Sequence, residues 1–218
     1  MTTLYLFSKL HKFTEKTFND FLNSSNKSKK IAVLLQHKDM IVRVDHDIHE
    51  LCNDNTDLNL SYVYPDEGSI EVPEEMLEHL STASHILVWG GHMHIYQLIY
   101  TNPNIASVII KKYQAGTPYA GLSAGAILAV NFGFIPNSVL KPHFSESSRF
   151  EELLKKMRKN KVKYGFALDD GIALKITDGT EFQVYGKGSF YLFNQLDTFD
   201  YNFKILKSGD KFSKDLTI

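Results

Sequence analysis

Tyr119-Ala120-Gly121-Leu122-Ser123-Ala124-Gly125-Ala126 decides the fold. A short, mostly apolar run reaches a serine with a glycine two positions to either side, and an apolar helix-forming stretch follows at once. Gly121-Leu122-Ser123-Ala124-Gly125 fits G-x-S-x-G, the pattern of a sharp strand-to-helix turn. Small residues around the serine let the backbone bend and leave the hydroxyl projecting above the sheet edge. The first turn of the following helix aims its free N–H groups at the same spot, which suits a developing oxyanion. Ser123 is therefore the expected nucleophile; the bland alternative is a glycine-rich strand-to-helix turn with no chemistry.

Upstream of this turn, residues 3–7, 30–35, 60–64 and 85–89 read as short apolar strands. Helices are expected over residues 40–52 and 73–80, and over 105–114 after a break at Asn102-Pro103-Asn104. Downstream, residues 149–163 read as an amphipathic helix. From about residue 165 the texture changes to strands with glycine turns, at 172–176, 181–185 and 189–193. Strands alternating with helices, then a β-rich tail, predict one three-layer α/β domain over residues 1–218 with a mainly parallel central sheet.

Composition narrows the function classes. The 218 residues carry 24 Lys and Arg against 25 Asp and Glu, a formal net charge of -1, without the basic excess of a dedicated nucleic-acid binder. The basic run from Lys155 to Lys163 lacks interleaved aromatics for base stacking and reads as a solvated helix face. Cys52 is the single cysteine, so no internal disulfide forms and no cysteine-based zinc cluster is expected. No apolar stretch reaches the roughly 20 residues that span a bilayer. With no signal-peptide pattern at the N-terminus, the expected location is cytoplasmic. Asp45 and His49 share a helix face, but no metal motif surrounds them, and neither a metal nor a cofactor is expected.

A nucleophilic serine needs a base. The nine histidines end at His143, twenty positions past Ser123, which argues against the Ser–acid–late-His order of α/β-hydrolases. His143, in Lys141-Pro142-His143-Phe144, is the expected base. A third group should orient it. No carboxylate lies between the two; Asn131 is one candidate, and the Asp169-Asp170 pair ahead of Gly171 offers another. Gly90-Gly91 follows a buried strand, and there the Gly91 N–H is one candidate oxyanion donor, with the Ala124 N–H as the other. His92 and His94 flank this stretch and read as pocket lining.

Trp89-Gly90-Gly91, the Tyr119–Ala126 run and Pro142-His143-Phe144 together resemble the peptidase E (aspartyl dipeptidase) and cyanophycinase family of serine peptidases. The resemblance runs from about His85 to Phe193 and includes Leu168-Asp169-Asp170-Gly171-Ile172. It implies a class I glutamine amidotransferase-like α/β fold and a Ser-His hydrolase with Ser123 as nucleophile, His143 as base, and Gly91 and Ala124 as oxyanion donors. It matches Asp170 to the family's orienting carboxylate, and Arg149 to an arginine that holds the substrate's acidic group. The substrate expected from it is a small peptide, such as a dipeptide with an N-terminal acidic residue; a nucleic acid or a membrane is not an expected partner, and a homodimer stays open. The alternative is a catalytically weak relative that binds a small peptide or metabolite as a sensor or scaffold.

Overall fold

The computed structural model describes residues 1–25, 29–52, 58–147, 150–197 and 200–213. In chain order the strands are β1 (Thr3–Phe7), β2 (Lys30–Leu34), β3 (Asn59–Val63), β4 (His85–Val88), β5 (Tyr119–Leu122), β6 (Ser138–Pro142), β7 (Tyr164–Leu168), β8 (Ile172–Thr177), β9 (Glu181–Gly186), β10 (Phe190–Gln195), β11 (Tyr201–Leu206) and β12 (Lys211–Ser213). The helices are α1 (Glu15–Leu22), α2 (Ile41–Leu51), α3 (Glu74–Thr82), α4 (Met93–Tyr100), α5 (Pro103–Gln114), α6 (Ala124–Asn131), α7 (Phe144–Ser147) and α8 (Phe150–Asn160).

Eight strands form the larger sheet, in the order β12-β9-β8-β1-β5-β4-β2-β3. From β1 to β3 every neighbouring pair is parallel, while β8, β9 and β12 extend it antiparallel. β1 is buried along its whole length. Its side chains alternate between two cores, as strand geometry requires. Tyr5 and Phe7 join Phe18 and Phe21 of α1 and Val44 and Ile48 of α2 on one face. Leu4 and Leu6 join residues of α3, α4, α5 and α6 on the other. Helices thus cover both faces, which is why β2 and β4 read as continuous aliphatic runs instead of alternating ones.

A second sheet, ordered β11-β10-β7-β6, stands beside this frame. Leu140, Phe166, Leu168, Phe190 and Leu192 on one face share the core of α6. Val139, Ala167 and Phe193 on the other pack under Leu153 and Met157 of α8. α6 is apolar all round because it is wedged between the sheets, with Ala124, Ala126, Leu128 and Ala129 buried.

The predicted strands and helices of the first half are present with boundaries shifted by a residue or two. The helix expected over 149–163 is the shorter α8. The mainly parallel central sheet is present as expected, and a second sheet is added to it: the sequence reading marks no element at β6, β7, β11, β12, α1 or α7. α1 gives little to read, since its leading Thr14 makes no side-chain cap bond. β6 ends in Lys141-Pro142, a lysine and a proline where a buried strand is expected to be apolar. Lys141 is buried there nonetheless, paired at 2.8 Å with Glu152 of α8.

Candidate active site

Ser123 follows β5 directly and precedes α6, with φ 49° and ψ -105°. A left-handed φ is uncommon for a residue with a Cβ and marks a forced turn. Close backbone approach on both sides forces it. A methyl on Gly125 would lie 2.2 Å from the Val88 carbonyl oxygen, and one on Gly121 would lie 2.4 Å from the Gly125 carbonyl oxygen. Only glycine lets α6 start so near the ends of β4 and β5. Tyr119 donates its buried hydroxyl to the Gly125 carbonyl at 2.8 Å and pins the helix start. Burial pushes that phenol well above its ordinary pKa, so it stays a neutral donor.

The Ser123 side chain does not cap its own helix. Its Oγ lies 3.0 Å from His143 Nε2. His143 is the first residue after β6 and is also left-handed, at φ 54°. Its Nδ1 lies 2.5 Å from Asp170 Oδ1. The register explains this meeting. β6 and β7 are parallel, with Pro142 opposite Leu168, so the residues just past the two strand ends share one edge. A carboxylate only accepts, so Nδ1 carries the imidazole proton and Nε2 presents its lone pair to the serine hydroxyl.

The adjacent carboxylates have different surroundings. Asp169 is buried and accepts from the Ser145 N–H and hydroxyl through Oδ1, and from the Ser189 N–H through Oδ2. It fastens the start of α7 to the ends of β7 and β10. Asp170 faces His143, and its own N–H donates to Glu146 Oε1 at 3.1 Å.

Gly90 lies against the serine: a methyl there would come within 3.3 Å of Ser123 Cβ. Gln36 Oε1 accepts the His92 N–H at 2.8 Å, and a methyl on Gly91 would run into that same oxygen. The Gly91 N–H has no acceptor among the described residues. Ala124 opens α6, where a helix leaves its first N–H groups without intrahelical partners.

A cleft of about 630 Å³ opens over Ser123, His143 and Asp170. Leu10, Met40, Val44 and Trp89 give it apolar walls, and Lys9, Arg43, Asp39 and Asp47 give it both signs of charge.

Other sequence-based candidates fall elsewhere. Asn131 is exposed at the far end of α6, and the position beside His143 Nδ1 belongs to Asp170. His92 is exposed at the head of α4, next to Gly91, with its N–H donated to Gln36 Oε1. Its neighbour His94 lies within α4 and is exposed. Arg149 lies outside the described residues. Two groups escaped the sequence reading: Gln36, just past β2, and Ser8, just past β1. Their only sequence signal is a polar residue closing an apolar strand.

Asp45 and His49 do meet, through His49 Nδ1 and the Asp45 carbonyl oxygen at 2.8 Å. The described trio His46, Asp47 and Glu50 on the same helix has ligand atoms within 4.8 Å of one another. It is mostly exposed, and such acidic groups are common without an ion. Among the described residues no helix is long and apolar enough to cross a membrane.

The chain is similar to known peptidases in part of its sequence and in its fold. A family model, Peptidase family S51, matches residues 68–135. No curated protein matches the sequence. A crystal structure of a peptidase from an acI-B1 Actinobacterium superposes with a TM-score of 0.74 at 19% identity, covering 98% of this chain and 97% of that one. A protein proposed as a peptidase E, from Listeria monocytogenes EGD-e, superposes with a TM-score of 0.56 at 16% identity, covering 95% and 100%. The two superpositions establish the shared fold, and the segment that resembles Peptidase family S51 contains the Gly90-Gly91 strip and the serine turn.

Proposed function

We propose that the chain hydrolyses small peptides with Ser123 as nucleophile, His143 as general base and acid, and Asp170 as the group that orients the imidazole. The observation that carries this is the unbroken line from Ser123 Oγ to His143 Nε2 at 3.0 Å and from Nδ1 to Asp170 Oδ1 at 2.5 Å. His143 takes the hydroxyl proton as Oγ attacks the scissile carbonyl, and Asp170 stabilises the imidazolium that forms. The carbonyl oxygen becomes an oxyanion between the Gly91 and Ala124 N–H groups. His143 then returns the proton to the leaving amine, and water repeats the cycle on the acyl-serine.

The mixed charges around the cleft suit a short peptide with both termini ionised. Lys9 and Arg43 are the described cations that would draw a carboxylate, whether a terminus or an acidic side chain. Fluorophosphonate labelling of wild type beside Ser123→Ala and His143→Ala, with mass spectrometry of the adduct, tests the assignment. An adduct on Ser123 that needs His143 is expected. No adduct on folded wild type sinks it and favours a binding protein. A panel of dipeptides with acidic, neutral and basic first residues then tests the substrate, with acidic ones cleaved fastest.

A further inference from the structure

Ser8 is fully buried at the end of β1, and its hydroxyl uses both of its hydrogen-bonding roles inside the site. Its Oγ accepts the His143 backbone N–H at 2.8 Å. The same hydroxyl donates to Asp170 Oδ1 at 2.9 Å, the oxygen that His143 Nδ1 also addresses. The bonds close a ring: His143 backbone to Ser8, Ser8 to Asp170, and Asp170 back to the His143 imidazole. We propose that Ser8 is a positioning residue for His143, fixing its backbone and its ring to a single carboxylate oxygen so that Nε2 stays on the Ser123 hydroxyl. This rests on the catalytic assignment above and extends it to a buried residue that acts through His143.

The chemistry of the position favours a hydroxyl. Alanine would leave a partly buried N–H and a carboxylate oxygen each without this partner. An aspartate would set a second negative charge against Asp170. The backbone it holds is the left-handed one at His143, disfavoured for a residue with a Cβ and in need of an outside tie. Ser8 is itself anchored, since its N–H donates to the Ile172 carbonyl of β8 at 3.3 Å. The larger sheet therefore reaches across, through β1, to set the base carried by the second sheet.

The test compares Ser8→Ala and Ser8→Thr with wild type by steady-state kinetics, by the rate of fluorophosphonate labelling of Ser123, and by the downfield NMR signal of the His143 Nδ1 proton. A base displaced by about 1 Å costs on the order of 10²-fold in rate. The expected result for Ser8→Ala is kcat lowered by about 10–100-fold with KM changed by less than about twofold, labelling slowed in proportion, and the downfield signal lost. Ser8→Thr, which keeps the hydroxyl, restores the signal and most of the rate. A folded Ser8→Ala with wild-type kcat and labelling rate overturns the proposal. So does a variant in which only KM rises, or a folded Ser8→Thr as slow as Ser8→Ala. If Ser8→Ala does not fold, the threonine variant decides by the same signal and rate. Wild type that takes no label defeats the catalytic assignment itself, a result distinct from any difference among the Ser8 variants.

Discussion

The two halves of the site are built by different means. The serine half comes from neighbouring parallel strands of the larger sheet, where β4 and β5 pair with Val88 opposite Gly121 and Gly125 presses on the Val88 carbonyl. Its geometry is local: within five residues the chain turns, bends left-handed at Ser123 and starts a helix. The histidine half comes from the second sheet, where the parallel pairing of β6 and β7 brings His143 beside Asp170, 27 positions away. The serine turn is thus encoded in a short motif, whereas its meeting with His143 depends on strand pairing that no motif describes.

Ser123→Ala and His143→Ala test whether the halves act as one unit. Each is expected to lower kcat by on the order of 10⁶-fold. A much smaller loss in the histidine variant would show that the second sheet merely neighbours the chemistry.

The paired carboxylates sharpen the contrast within the histidine half. Asp170→Asn keeps the shape but offers an amide to the imidazole, and should lower kcat by up to about 10⁴-fold with little change in stability. Asp169→Asn should act the other way round. Loss of charge-assisted bonds to Ser145 and Ser189 is expected to cost about 1.5–3 kcal/mol, read as a fall in Tm of roughly 2–4 °C per kcal/mol. Equal effects of the two on both measurements would erase the distinction.

Glycine variants probe the serine half. Gly125→Ala drives a methyl into backbone and should destabilise by about 1–3 kcal/mol or more, seen in thermal unfolding. Gly91→Ala meets the end of the Gln36 side chain, which can swing away, and the Tyr96 ring edge. It should cost less stability and fall mainly on kcat, by up to about 10²–10³-fold if the Gly91 N–H leaves its place.

An effect on stability alone lies at the opposite end of the strands. His85, at the start of β4, is fully buried, and its Nε2 has no hydrogen-bond partner among the described residues. Burial, helped by Lys29, lowers its pKa from 6.5 to about 4. The unfolded chain takes up this proton near pH 6.5 while the folded one resists until about pH 4. Its stability contribution is whole above the upper value and erodes as pH falls through that window, by at most about 1.4 kcal/mol per pH unit. Urea midpoints of wild type and His85→Gln between these limits should show a flatter pH dependence in the variant. Identical slopes would remove His85 as the cause.

Most of the parallel frame was legible because its strands are apolar runs closed by glycine or polar residues, as at Lys30–Leu34 and His85–Val88. The serine turn was legible for the same local reason. The second sheet was not, because Ser138–Pro142 contains a lysine buried only through its pairing with Glu152. The choice between Asp170 and Asn131 stayed open in the sequence, since it depends on which strand lies beside β6. Ser8 was invisible, as its partners His143 and Asp170 stand 135 and 162 positions away.

The central place of β1 has a consequence for synthesis on the ribosome. Its two neighbours, Tyr119–Leu122 and Ile172–Thr177, are made long after it. This strand therefore waits, exposed and strongly apolar, until both neighbours have followed. Such late, long-range pairing slows folding and leaves a nascent segment open to aggregation, which makes Thr3–Phe7 the stretch most in need of a chaperone's cover. The same delay keeps Ser123, His143 and Asp170 apart until the chain has grown past Asp170.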